Sequence, residues 1–275
     1  MENQAELILA PESYAELFAE WSRHPEAVPF AGGTSLIRRC QDGRNLDLPG
    51  TILSLDKMAE MERINRSERF LEIGATVKLG RIIELRRFAP EALISCLGEI
   101  VGQQLRNMAT IGGNVCRHLE SVAALTALDA QYELRGAQSS RWVTASRFYG
   151  GSDQCSLGEC ELLSRIRIPL EAWDYSAYRK FAGQERHARI AVFLARAQKN
   201  TLSDIRLVCK TEGGILRDRN GEIMLIGKRL PLTRRIAAAF VSRWEAFLRD
   251  SGDVDEFSGQ ELVNFIEANV GRLSM

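Results

Sequence analysis

The sequence predicts an α+β chain built in two parts. Three observations carry this. Short apolar runs end at glycine or proline, longer runs with apolar residues at helical spacing lie between them, and the same mixture resumes after "EAWDYS" near residue 172. A chain of 275 residues can bury a sizeable core as one large or two medium domains. The expected division is 1–171, itself in two pieces of about 1–57 and 58–171, followed by 172–275.

In order, "ELILAPES" gives a short strand stopped by Pro11, and Ser13 is placed to cap a helix with Tyr14, Leu17, Phe18 and Trp21 on one face. Those side chains are expected in the core. "AVPFAGG" is a second apolar run, ending in a glycine turn, and "TILSL" a third after Pro49 and Gly50. "RFLEIGATVKLGRIIEL" predicts a strand to Gly74 and then a helical run through Leu79, Ile82, Ile83 and Leu85. Residues 91–105, "EALISCLGEIVGQQL", are mostly helical in pattern, and "ATIGGN" follows as a second glycine pair. "VAALTALDAQYELRG" is a helix running into a strand, and "ELLSRIRIPL" a strand ended by Pro169. Beyond residue 172 come "AYRKFA", "ARIAVFLARAQ", "DIRLVCKTE" and "EIMLIGKRLP". Two amphipathic helices finish the chain, around "TRRIAAAFVSRWEAFLRD" and "GQELVNFIEANV". Arg186, His187 and Arg189 are expected in a solvated turn.

Composition removes several function classes. Lys plus Arg equal Asp plus Glu at 36 each, so no overall field favours nucleic acid or an anionic membrane. No apolar stretch approaches the about 20 residues of a membrane span, and "MENQAELILAPES" lacks the basic start and apolar core of a secretion signal; a cytoplasmic protein is expected. The six cysteines lack the tight paired spacing of zinc or iron–sulfur ligands, and His24, His118 and His187 form no cluster, so no metal site is expected within the chain. Cys155 and Cys160 in "CSLGEC" are the closest pair, open to a redox reading and equally to two ordinary loop thiols. There is no G-x-S-x-G elbow, no H-E-x-x-H and no convincing carboxylate pair, so no catalytic residue is assigned. Any hard chemistry is expected from a bound organic cofactor.

The two glycine pairs are where such a cofactor would sit. In "PFAGGTSLIRR" the bare main chain lets a ligand approach and can aim successive N–H groups at an anion, with the Thr34 and Ser35 hydroxyls beside it. That chemistry suits a phosphate or pyrophosphate, although a plain tight turn also explains "AGGTS". The loop has neither the Gly-Lys-Ser/Thr ending of a P-loop nor G-x-G-x-x-G spacing. "TIGGN", residues 110–114, adds a second glycine pair with a hydroxyl and an amide, which suggests one extended ligand held at two places.

Taken in order, "PFAGGTSLI", "EIGATVKL", "LRNMATIGGNV", "ALDAQYEL" and "LLSRIRIP" resemble the FAD-binding medium subunit of molybdenum hydroxylases. That group resembles the flavin domain of xanthine dehydrogenase and the flavoprotein subunit of carbon monoxide dehydrogenase. The likeness runs over roughly residues 5 to 195, and "LIGKRLP" is similar to a short phrase late in the family. It implies a two-subdomain FAD-binding domain of the vanillyl-alcohol-oxidase/p-cresol-methylhydroxylase type, followed by a smaller sheet-plus-helices C-terminal domain. It also implies that Ala31, Gly32, Gly33, Thr34 and Ser35 wrap the FAD pyrophosphate and that Thr110, Gly112, Gly113 and Asn114 contact the cofactor from the second subdomain. Leu36, Ile111 and Leu163 are matched as cofactor-binding positions too. Lys180 matches a position near the flavin end, where a cation would stabilise the negative charge of reduced flavin; an exposed strand lysine is the alternative.

Two departures from the family stand out. "CRHLESVAALTALDA" is shorter than the usual stretch and lacks its proline, and Glu120 falls where an aspartate would help hold FAD. A glutamate at a helix start, favoured by the macrodipole, explains the same residue. Where a family member places an aromatic ring against the adenine, Ile100 stands here, which offers dispersion without stacking and implies weaker affinity.

The resemblance implies partners: a molybdenum-cofactor large subunit and a small subunit carrying [2Fe–2S] clusters, with NAD or another acceptor receiving the electrons. An FAD-weakened or FAD-free scaffold subunit of the same fold is the alternative. A free-standing flavin oxidase is disfavoured by the lack of a substrate cap and of a His or Cys in the glycine loops for covalent attachment.

Overall fold

The computed structural model describes residues 7–35, 48–100, 102–148, 157–181 and 189–274. Leu36, Cys155, Arg186 and His187 lie outside the described residues.

Strand β1 (Leu7–Leu9) ends before Pro11, and the Ser13 hydroxyl accepts the N–H of Glu16 to open α1 (Tyr14–Arg23). Leu17, Phe18 and Trp21 of α1 are buried. The chain then adds β2 (Val28–Phe30) and β3 (Thr51–Ser54), giving a parallel three-stranded sheet in the order β1-β3-β2. The first glycine pair follows directly on the end of β2.

A second sheet is antiparallel. It begins with β4 (Ile64–Arg66) and β5 (Phe70–Gly74). A run of short helices follows: α2 (Leu79–Ile83), α3 (Glu91–Gly98), α4 (Gln103–Arg106), α5 (Ile111–Cys116) and α6 (Ser121–Ala127). The chain returns as β6 (Gln131–Arg135) and β7 (Ser140–Thr144), turns through α7 (Ala145–Phe148), and closes the sheet with β8 (Leu162–Pro169) in the order β4-β5-β8-β6-β7.

The third sheet holds β9 (Tyr175–Phe181), β10 (Arg189–Gln198), β11 (Thr201–Lys210) and β12 (Ile215–Leu216), all antiparallel. Then come α8 (Arg219–Leu225), α9 (Arg234–Ser251) and α10 (Glu256–Arg272). Side chains alternate across a strand, and β10 uses both faces. Ile190, Val192 and Leu194 join the core that contains α3 and α6, whereas Ala191, Phe193 and Ala195 join a second core with Phe240, Trp244, Leu248 and Ile266.

Four expectations are adjusted by the structure. The helical pattern over 91–105 divides, because α3 stops at Gly98 and α4 restarts after Gly102; two glycines weaken the helix there, and the Arg106 guanidinium donates to the Gly98 and Ile100 carbonyls between them. Strand β4 is not among the expected elements, because two of its three residues are polar. The segment after Thr110 is a capped helix, not a loop. Arg189 is not solvated: it lies in β10 and pairs with Glu261 at 2.9 Å, because α10 packs against that strand.

Among the described residues no helix is long and apolar enough to cross a membrane. Among those same residues no group of three His, Cys, Asp or Glu side chains could hold a metal ion.

Candidate functional site

The two glycine segments, about 80 residues apart in sequence, meet at one cleft. A β-carbon added to Gly32 would lie 2.4 Å from the Met108 carbonyl oxygen and 3.4 Å from the Thr110 methyl. Glycine's missing side chain is what lets the end of β2 press onto the turn before α5, and Gly32 adopts φ +64°, a conformation glycine takes at no cost. The cavity between them has a volume of about 450 Å³. Ala31, Gly33, Thr34 and Ser35 form one wall; Thr110, Gly112, Gly113 and Asn114 form another, with Ala75, Leu162 and Leu163 completing the lining.

The walls differ chemically. In the first, the N–H of Gly33 donates to the Ala31 carbonyl, and Thr34 and Ser35 begin a helical turn. The N–H groups of Gly32, Thr34 and Ser35 make no hydrogen bond to any described residue. In the second, the four amides from Ile111 to Asn114 are already used. The N–H of Ile111 donates to the Val77 carbonyl at 3.0 Å, that of Gly112 to the Ala75 carbonyl at 2.8 Å, that of Asn114 to the Thr110 carbonyl at 3.0 Å, and that of Gly113 to the Thr110 hydroxyl at 3.1 Å. Gly112 is bare for packing: its β-carbon would stand 2.7 Å from both the Ala75 carbonyl oxygen and its methyl. The second pair therefore supplies shape rather than an anion-binding nest.

Asn114 is likewise committed. It is buried, and its Oδ1 accepts both the N–H and the hydroxyl of Ser121, fixing the start of α6.

Two charged residues of the cleft went unnoticed in the sequence. Arg117, just past α5, lines it and has no ion pair among the described residues. Glu161 lines it too, and its carboxylate is gripped by Arg141 through Nε at 2.8 Å and Nη2 at 2.7 Å. That guanidinium, helped by the Gly158 N–H, holds the Glu161 carboxyl below its ordinary range despite partial desolvation. A fixed acid and a cation with no ion pair among the described residues thus line the same space.

The remaining expected residues group elsewhere. Lys180 of β9 pairs with Glu120 at 3.3 Å and also approaches the Glu99 carbonyl at 3.4 Å. Their side chains are only 29 % and 13 % exposed, so Glu120 is not a solvent-facing acid and Lys180 not a free strand lysine. Beneath them the Cys96 thiol approaches the Glu120 carbonyl at 3.4 Å, and burial pushes that thiol far up, which leaves it inert. Ile100, next to Glu99, is packed in the core and does not line the cleft.

Residues 3–171 match the family described as the FAD binding domain in molybdopterin dehydrogenase. The chain belongs to this family. Among curated relatives of this FAD-binding family, it is 30% identical over 168 residues to the xanthine dehydrogenase FAD-binding subunit of Escherichia coli O157:H7, covering 58% of the chain and 56% of the relative. The chain thus spans little more than half the length of the first relatives it matches. It is 28% identical to the carbon monoxide dehydrogenase medium chain of Hydrogenophaga pseudoflava, over 80% of the chain and 79% of the relative.

Solved structures agree in fold. A chain of the reconstituted CO dehydrogenase from Oligotropha carboxidovorans superposes with TM-score 0.82 at 22% identity, covering 100% of this chain and 99% of that one. Quinoline 2-oxidoreductase from Pseudomonas putida 86 gives 0.80 at 22%, covering 100% and 97%.

The cleft suits the family's cofactor, FAD, on its own geometry. Main-chain donors with no bond to a described residue lie beside two hydroxyls, Arg117, with no ion pair among the described residues, lines the same cleft, and the volume lies in the range of ligand pockets.

Proposed function

We propose that this chain is a cytoplasmic flavin-carrying subunit of a molybdenum hydroxylase complex, handing electrons from a partner's [2Fe–2S] clusters to NAD or another acceptor. The observation that carries this is the closure of the two glycine segments, Gly32 against Met108 and Thr110, around one cleft whose first wall carries N–H groups with no bond to a described residue. FAD bound there supplies a carrier able to exchange two electrons with one partner and single electrons with another.

The protein's own residues do the holding. Gly32, Thr34 and Ser35 would donate to the diphosphate, and Arg117 would neutralise part of its charge. Leu162 and Leu163 exclude water from the apolar portion of the cleft. Glu120 and Lys180 form a charge-neutral pair toward the family's flavin end. Residues 1–171 would make the cofactor unit and 172–275 a second unit packed on α6. Substrate oxidation would belong to a molybdenum-bearing large subunit.

Purified protein should be yellow and should bind added FAD in calorimetry; a colourless protein that ignores added FAD refutes the reading. A scaffold subunit that has lost FAD is the second reading. It is favoured by Glu120 and Lys180 satisfying each other and by Ile100 lying in the core. Partners retained in the absence of flavin would select it.

A further inference from the structure

Helix α6 is short, and every one of its seven residues is buried. It packs against β10 and β11, and residues of the C-terminal part, in or just beyond its sheet, grip both its ends. At the leading end Lys180 holds Glu120. At the trailing end Arg206 of β11 donates to the Ala127 carbonyl at 3.1 Å, and Arg217 donates to the Thr126 carbonyl at 3.4 Å. Both arginines also pair with Asp129 in the turn after the helix, at 3.1 Å and 2.7 Å. Each arginine side chain is 9 % exposed. Two buried cations thus satisfy the orphan carbonyls of one helix C-terminus, where its dipole favours positive charge.

The leading end of α6 is where Asn114 of the cleft is bonded to Ser121. Contacts therefore run without a break from the C-terminal sheet, through α6, into the cleft wall. We propose that Arg206, Arg217 and Asp129 are positioning residues for the cleft: they set the seat of α6 and, through Asn114, the wall that faces the ligand. The ligand's identity as FAD rests on the function proposed above; the mechanical coupling does not.

Contiguity alone does not prove coupling, so the test measures it. Asp129→Asn keeps a side chain suited to the φ of +50° there while removing the charge that faces both arginines. Phe240→Leu, a cavity in the second core away from α6, serves as a matched loss of stability. Two readouts are taken: hydrogen exchange of the amides over 113–121 in ligand-free protein, and the FAD dissociation constant. With the proposal, Asp129→Asn speeds exchange there beyond what its loss of global stability accounts for and weakens FAD by about tenfold, while Phe240→Leu speeds exchange only as far as its loss of global stability and leaves FAD affinity unchanged. Arg217→Lys, which retains a cation, should keep most of the protection that Arg217→Met loses. The proposal is overturned if Asp129→Asn leaves exchange unchanged, or if Phe240→Leu reproduces its effects. Should wild-type protein bind no FAD, the exchange result still decides the coupling, and only the flavin reading fails.

Discussion

Gly32 and Met108 touch backbone to backbone, with room between them for no β-carbon. This contact joins the end of the parallel sheet to the turn before α5, and the cleft exists because of it. Gly32→Ala adds a methyl 2.4 Å from a carbonyl oxygen at φ +64°. The left-handed conformation alone costs about 1–2 kcal/mol for an L-residue. Urea unfolding should show at least that loss, and calorimetry a marked loss of FAD affinity as the segments separate.

Arg117 is expected to lose its effect on ligand binding when its charge is removed. Arg117→Gln should weaken FAD about tenfold, near the lower end for a lost charge-assisted hydrogen bond. Titrations at rising ionic strength should find wild-type affinity falling more steeply than that of the variant. Equal affinity and equal salt slope would show that Arg117 does not meet the diphosphate.

Glu120 and Lys180 should behave as a coupled pair. Glu120→Gln and Lys180→Met each leave a partly buried partner uncompensated, and the double variant should recover part of the summed loss. A coupling of about 1 kcal/mol is expected for a pair with this much residual exposure. The readout is a thermodynamic cycle from chemical unfolding; strict additivity would mean the contact contributes nothing.

Acid sensitivity follows from two carboxylates. Desolvation raises the Glu72 carboxyl, but Arg167 and Arg165 outweigh it and hold it low; Arg141 holds Glu161 low. Groups depressed in the folded state contribute stability above their unfolded value, ordinarily 4.5, and lose it as pH falls through the folded one. Unfolding free energy should therefore decline below about pH 4.5, and Glu72→Gln should flatten that decline.

Much of this was legible in the sequence because it is written in local rules. Ser13 before an apolar stripe, Pro11 beyond one strand and Pro169 at the end of another, and alternate or helical spacing of apolar residues all report on neighbours a few positions away. The site was legible as a pair of glycine segments but not in its division of labour. Nothing in "TIGGN" reveals that its amides are spent on Val77, Ala75 and Thr110, because two of those carbonyls come from another part of the chain. Arg117 looks like any arginine in "CRHLES" until the fold places it in the cleft. Glu120 and Lys180 lie 60 positions apart, and the packing of both β9 and α6 on α3 introduces them. Strand β4, with just one apolar residue in three, is an edge strand held by pairing to β5 rather than by its own pattern.

Strand β10 hands alternate side chains to two interiors. Melting either one would strip a face from the sheet that walls the other, exposing apolar surface that its neighbour still needs. The halves of this molecule are therefore not free to denature in turn: heat should dismantle them together, as a single calorimetric peak, and the C-terminal half cut away from residues 1–171 would carry a greasy, unclad surface into solution.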